Sequence, residues 1–336
     1  MRIVRTDREL RCPRIDATLR ADGHDLTLLP EGASEDALAE AVADADLILT
    51  CYTAVTARVI AAAPALRGIV KYGVGIDAID ISAAIARDIP VVNIPEYAEK
   101  TVAEGAFALL IALTRKLAPL HLAMRADGWA WPEPCWMGSD IAGKTLGLVG
   151  VGRIGRSMAR MAGAGFGARV LGCNPGMDAE TMRAAGVEPR DDLHSMLGEC
   201  DFVSIHCTLN DTTRGLIGAA ELAAMRPGAI LINVSRGAIV DEAALLSALR
   251  SGHLGGAGLD VFSREPLNRA DHPLGPLFDM DNVLLTPHLT FYTAEAMDRL
   301  ETETLDRCRE IIAGRAVTIK STDPRLRAQT AGVRLQ

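Results

Sequence analysis

The stretch TLGLVGVGRIG, residues 145–155, constrains this chain more than any other. A short apolar run ending in Gly150-x-Gly152-x-x-Gly155, then a helical pattern, reads as strand, tight turn and helix. The glycines permit the turn and let backbone approach a pyrophosphate. That group then sits on the N–H groups of a helix N-terminus, here those of Arg153 and Ile154. Methyltransferases and flavoproteins share a lone motif of this kind, but the strand before it and the helix after it favour dinucleotide binding. Such units often stand at the front of a chain, yet residues 1–144 precede this one and need their own account.

Those early residues also alternate. DLTLL (25–29), DLILT (46–50), GIVKY (68–72) and PVVNI (90–94) read as strands, with EDALAEAVADA (35–45) and VIAAAPAL (59–66) as helices. A second series starts at Thr145: LGLVG (146–150), RVLGC (169–173), FVSIH (202–206), AILINV (229–234), GAGLD (256–260) and VLLT (283–286). Strands separated by helices imply parallel sheets covered on both faces, so an α/β chain with two doubly wound domains is expected. A length of 336 residues suits that number. Between the series, TVAEGAFALLIALTRKL (101–117) is apolar nearly all round and predicts a helix buried on every side. ADGWAWPEPCWMGSD (126–140) holds all three tryptophans and reads as an extended arm. A long helix is expected over 294–314, followed by a polar, poorly patterned tail.

A net charge of −8 with mixed signs argues against a nucleic-acid partner. No run of 18 or more uncharged apolar residues suggests a membrane span, and MRIVRTDREL lacks the apolar segment of a secretory leader. Seven scattered cysteines without a C-x-x-C fit reduced thiols in a cytoplasm better than disulfides or a metal site.

Ligands of open parallel sheets bind at the carboxyl ends of the strands. Past the second strand of the later series stands Asn174, where a ribose-binding acid is expected. An amide still bonds a ribose hydroxyl but does not repel a 2′-phosphate. No Arg or Lys follows in Pro175, Gly176 and Met177, so NAD is favoured over NADP, with weakened discrimination. The next strands end at His206, Cys207 and Thr208, at Ser235 and Arg236, at Asp260 with Glu265 close behind, and at His288. Hydride transfer to a 2-keto acid suits this set. Arg matches the planar oxygens of a carboxylate and a keto group. His has the pKa to move the alcohol proton, and a neighbouring carboxylate would orient it and keep it protonated. Asp260 is placed to accept from a nicotinamide carboxamide. Singly, each has a plainer reading as loop His, solvated Arg, capping Asp or loop acid. Their joint place on one sheet edge carries the weight.

Six motifs appear in order: KYGVGIDAID (71–80), NIPEYAEKTVAEGAFALLIALTR (93–115), GKTLGLVGVGRIG (143–155), INVSRGAIVDEAAL (232–245), GLDVFSREPL (258–267) and TPHLTFYT (286–293). With them the chain resembles the D-isomer-specific 2-hydroxyacid dehydrogenases from about residue 45 to 314. The resemblance implies a flavodoxin-like substrate domain over 1–99 and 293–336 and a Rossmann NAD-binding domain over 100–292. The early residues then form the other wall of a cleft. It implies Arg236 as the substrate-carboxylate and keto-oxygen ligand, His288 as acid/base, Glu265 as its paired acid and Asp260 as the nicotinamide contact. Gly150, Gly152, Arg153, Ile154, Gly155, Asn174, Val102, Cys207, Thr208 and Val234 are the implied cofactor residues. The amides of Val74 and Gly75 are the implied substrate contacts, with Lys71 and Tyr72 beside them. Trp131, Trp136, Phe291 and Tyr292 are candidates for the substrate side-chain pocket. Asn174 for Asp, Ala78 for Asn and Thr208 for Pro depart from the family pattern. The expected activity is NAD(H)-dependent interconversion of a D-2-hydroxy acid and a 2-keto acid by a cytoplasmic homodimer. Use of NADP(H), and a dinucleotide-sensing binding protein with little turnover, are the rival readings.

Overall fold

The structure, a computed structural model, describes residues 1–336. The chain divides into one unit of Met1–Ala98 with Thr293–Gln336 and a second of Glu99–Tyr292. In the first, strand and helix alternate as β1 (Arg2–Arg5), α1 (Pro13–Ala21), β2 (Asp25–Leu28), α2 (Glu35–Ala41), β3 (Leu47–Thr50), α3 (Ala57–Ala62), β4 (Gly68–Lys71), α4 (Ile81–Ile85) and β5 (Val91–Asn93). The five strands pair in parallel in the order β2-β1-β3-β4-β5, one of the two common doubly wound orders. Strand β1 escapes sequence reading because RIVR has charged ends. Arg5 nevertheless has 1% of its surface exposed, since its guanidinium forks onto Asp16 of α1 at 2.8 and 2.9 Å. Helix α3 ends at Ala62 instead of continuing to residue 66, because Pro64 disfavours helical geometry in the residue before it.

The second unit runs α5 (Glu99–Thr114), α6 (Leu117–Asp127), β6 (Thr145–Val149), α7 (Arg153–Arg160), β7 (Arg169–Cys173), α8 (Ala179–Ala184), β8 (Glu188–Pro189), α9 (Leu193–Glu199), β9 (Phe202–Ile205), α10 (Ala219–Ala224), β10 (Ile230–Asn233), α11 (Glu242–Arg250), β11 (Gly256–Leu259) and β12 (Val283–Leu285). Its sheet is parallel, in the order β12-β11-β10-β9-β6-β7-β8. Counted from β6, this is the 3-2-1-4-5-6 order of dinucleotide-binding sheets with one more strand. Seven strands form where six were expected, because β8 spans only two residues. Helix α5 is apolar but not buried all round, with Glu104 and Ala108 left in solvent. Part of the expected arm is helical, since α6 runs to Asp127, and none of its residues is buried. No single helix is long and apolar enough to cross a membrane.

The first unit resumes with α12 (Ala294–Ile312), β13 (Val317–Ile319), α13 (Pro324–Arg327) and β14 (Val333–Leu335). The tail that reads as patternless is therefore ordered, with β13 and β14 paired in parallel. Its polar residues serve the sheet. Gln329 gives its Nε2–H to the Val91 carbonyl at 2.8 Å and accepts the Val91 N–H at 2.7 Å, as a neighbouring strand would on edge strand β5.

Candidate active site

The site is built on the loops that leave the strands of the second unit. At the first of these, Gly150 has φ +96°, and a Cβ there would lie 2.6 Å from the Cys207 nitrogen. A side chain at Gly155 would overlap the Gly150 carbonyl, whereas one at Gly152 would meet nothing within 4 Å. Two glycines thus close the turn tightly. The third leaves open space before the amides of Arg153 and Ile154, which begin α7. Across the turn, Asn174 accepts the Val151 N–H on Oδ1 at 3.1 Å. Its amide hydrogens and the second lone pair of Oδ1 remain to offer a ligand. This cradle fits a dinucleotide pyrophosphate and its ribose.

On the next loop, His206 shares a hydrogen bond with Ser204 Oγ at 2.9 Å. Burial lowers its imidazole to about 4, so it stays neutral near pH 7 and donates no proton to chemistry. Burial pushes the Cys207 thiol up to about 11, which leaves it unreactive. The Cys207 carbonyl accepts from Ser235 Oγ and the Thr208 carbonyl from Thr213 Oγ1 at 2.6 Å, so this loop is held by its neighbours. Val102 on α5 and Val234 after β10 are both buried.

Arg236 follows Val234 in a turn that Asn233 clamps, with its Nδ2–H on the Arg236 carbonyl at 2.9 Å and its Oδ1 receiving Ser235 N–H at 3.1 Å. Gly237 makes the close approach that matters most. Any Cβ there would overlap the backbone of Phe262 and Ser263, so the loops after β10 and β11 pack without a gap. That contact brings Arg236 beside Glu265. Burial alone would raise the Glu265 carboxyl. The hydrogen bond and charge of His288, the Phe262 N–H at 2.9 Å and the Arg236 charge outweigh it, and Glu265 titrates below its ordinary range. Its Oε2 lies 2.8 Å from His288 Nδ1. An ionised Glu265 accepts Nδ1–H, which fixes the tautomer and the orientation of the ring.

His288 has φ +57°, a conformation that non-glycine residues hold only when the surroundings impose it. Asp260 is what imposes it. Its Oδ1 accepts from Thr286 Oγ1 at 2.6 Å and Leu289 N–H at 2.9 Å, and its Oδ2 from Thr290 N–H at 3.0 Å and Thr290 Oγ1 at 2.6 Å. The expected role of Asp260 as a nicotinamide contact is corrected here. The side chain is fully buried and all four acceptor positions of the carboxylate are filled, so it anchors the loop that presents His288. The signal for this lay in TPHLT, where Thr286 and Thr290 bracket the histidine. Phe291 is buried, with its ring edge-on to His288 at 6.5 Å, whereas Tyr292 is exposed. Trp131 is 73% exposed and Trp136 half-buried.

In the first unit, Val74 is exposed and Gly75 half-buried on the loop after β4. Two neighbours assigned to substrate binding are corrected. Tyr72 is wholly buried, its hydroxyl on the Thr6 carbonyl and under the Arg5 guanidinium, so it belongs to the core. Lys71 is also buried, its ammonium on the Cys51 carbonyl and 5.7 Å from the Tyr52 ring.

Residues 107–290 match the family described as D-isomer specific 2-hydroxyacid dehydrogenase, NAD binding domain. The chain is 41% identical over 288 residues to D-3-phosphoglycerate dehydrogenase of Mycobacterium leprae, covering 85% of this chain and 53% of that protein. It therefore spans about half the length of such relatives. It is 40% identical over 270 residues to the glyoxylate reductase of Korarchaeum cryptofilum, with 80% of each covered. Among solved structures, D-lactate dehydrogenase of Aquifex aeolicus, complexed with NAD and lactic acid, superposes with a TM-score of 0.83 at 27% identity, covering 93% of this chain and 96% of that one. Taken with the seven-stranded sheet and its glycine turn, these likenesses show that the chain belongs to the D-isomer-specific 2-hydroxyacid dehydrogenase family.

Proposed function

We propose that this protein interconverts a D-2-hydroxy acid and its 2-keto acid with a nicotinamide dinucleotide as hydride carrier. The observation that carries the reading is the His288–Glu265 pair, 2.8 Å apart, with the charge of Arg236 acting on the same carboxylate. The bound nicotinamide supplies or accepts the hydride. The chain does the rest. Arg236 holds the carboxylate and polarises the keto oxygen. In reduction, His288 Nε2 gives its proton to the oxygen that becomes the alcohol, and Glu265 stabilises the imidazolium before it does. In oxidation the same nitrogen takes the proton back. Val74 and Gly75, on the loop after β4, are proposed amide donors to a carboxylate.

The substrate is a small unphosphorylated keto acid in this reading. A phosphate wants a cation cluster, and Lys71 and Arg5, the basic side chains at the ends of β4 and β1, are both buried and committed to partners within the chain. Asn174 supports acceptance of both NAD and NADP, because it presents an amide donor where an acid would repel the 2′-phosphate. A second copy of the chain is the proposed partner. Leu117, Leu122, Met124, Trp129, Trp131 and Met137 are 41–74% exposed along α6 and the segment after it, an apolar surface of the kind homodimers bury. Seven free cysteines support a reducing, cytoplasmic setting. The test is a steady-state panel of glyoxylate, pyruvate, hydroxypyruvate and its phosphate against NADH and NADPH. Turnover of the unphosphorylated acids supports the reading. Dinucleotide binding without turnover of any of them would leave the sensor alternative standing in its place.

A further inference from the structure

We infer that Asn93 is a positioning residue for the substrate carboxylate, acting through the loop after β4. The inference rests on the function proposed above. The end of β5 grips two successive carbonyls of that loop. Ile94 N–H donates to the Gly73 carbonyl at 3.0 Å, and Asn93 Nδ2–H donates to the Val74 carbonyl at 2.6 Å. Both peptides are trans, since the Glu265–Pro266 bond is the chain's single cis peptide. In a trans peptide the carbonyl and the N–H point in opposite directions. Pinning Gly73 C=O and Val74 C=O to one strand end therefore throws Val74 N–H and Gly75 N–H to the opposite side together. Neither N–H donates to a group of the chain. Two adjacent amides aimed one way make an anion-binding concavity, suited to the two oxygens of a carboxylate.

Asn93 carries a cost that supports this role. It is 4% exposed, and its Oδ1 is buried without a partner. The amide cannot turn over to relieve this, because Oδ1 would then face the Val74 carbonyl. An apolar residue of similar size would spare the chain an unpaired acceptor but would release the Val74 peptide. Rotation of that peptide would turn Gly75 N–H away from a bound carboxylate and put the carbonyl oxygen in its place.

The test compares wild type with Asn93→Ala and the isosteric Asn93→Asp. It reads the KM of the best 2-keto acid, kcat, the Kd of NADH by fluorescence, the Kd of oxamate for the NADH complex, and thermal unfolding. Loss of one hydrogen bond to a charged group predicts a rise of about 10- to 100-fold in KM and in oxamate Kd for both variants. The expected kcat and NADH Kd stay within a few-fold. An ionised Asp cannot donate, but a protonated one can, so the KM of Asn93→Asp relative to wild type is expected to recover as the pH is lowered. A wild-type-like KM in both variants overturns the inference alone. So does an equal loss of NADH and oxamate affinity, which would mark general loosening. If wild type binds neither NADH nor oxamate and turns over no keto acid, the functional reading fails and takes the inference with it.

Discussion

Replacing Asp260 with Asn separates anchoring from chemistry, because the side chain keeps its shape and loses only charge and one acceptor. Four donors converge on the carboxylate, two of them backbone N–H groups of Leu289 and Thr290, one on each oxygen. The Thr286 and Thr290 hydroxyls can rotate and accept from an amide, but the N–H groups cannot. Whichever way the new amide turns, one backbone N–H meets another donor in a site with no solvent exposure. An unsatisfied buried donor costs about 1–3 kcal/mol, and the remaining bonds lose their charge assistance for roughly 1 kcal/mol more. A total of about 2–4 kcal/mol, in a unit of this size, lowers Tm by roughly 4–16 °C. The same relaxation frees His288 from its left-handed conformation, so kcat for keto-acid reduction is expected to fall at least ~10-fold. The assay is thermal unfolding beside steady-state kinetics of the purified variant. A Tm within ~2 °C of wild type with unchanged kcat would refute the anchoring argument and return Asp260 to the role of a ligand contact.

The other predictions concern the acid/base pair, the arginine and pH. His288→Ala is expected to lower kcat by at least ~10²-fold in steady-state assays, and Glu265→Gln by less, because the imidazole remains but loses its charged partner. Arg236→Lys should raise keto-acid KM by ~10- to 100-fold with little change in NADH Kd, since an ammonium cannot fork onto paired oxygens. Acid sensitivity should trace in part to His206. Its folded value near 4 lies below the ordinary 6.5, so between these values the unfolded chain binds the proton that the folded chain refuses. Stability from this group is complete above 6.5 and is lost as pH falls toward 4. Urea unfolding from pH 7 to pH 4 should show a shallower decline for His206→Gln, and parallel curves would argue against this assignment.

The sequence by itself determined the α/β class, most of the strands and the residues at their ends. Strands buried on both faces read as mainly apolar runs, as LGLVG, FVSIH and AILINV do, and a glycine turn set between such a strand and a helix points to dinucleotide binding. Arg236, Glu265 and His288 were legible because chain order places each just past such a run. Tertiary structure alone decided what depends on partners distant in the chain. RIVR became a strand because Asp16 neutralises Arg5, and the polar tail became ordered because Gln329 pairs with Val91. Asp260 looked like a free ligand until the hydroxyls and amides of residues 286–290 closed around it. Lys71 and Tyr72 looked like pocket residues until Cys51 and Thr6 took their polar ends. The physical reason is common to all of these. Apolar burial follows a local periodicity that sequence displays. The satisfaction of a buried polar group depends on which donors and acceptors the fold brings to it, and no local pattern records that.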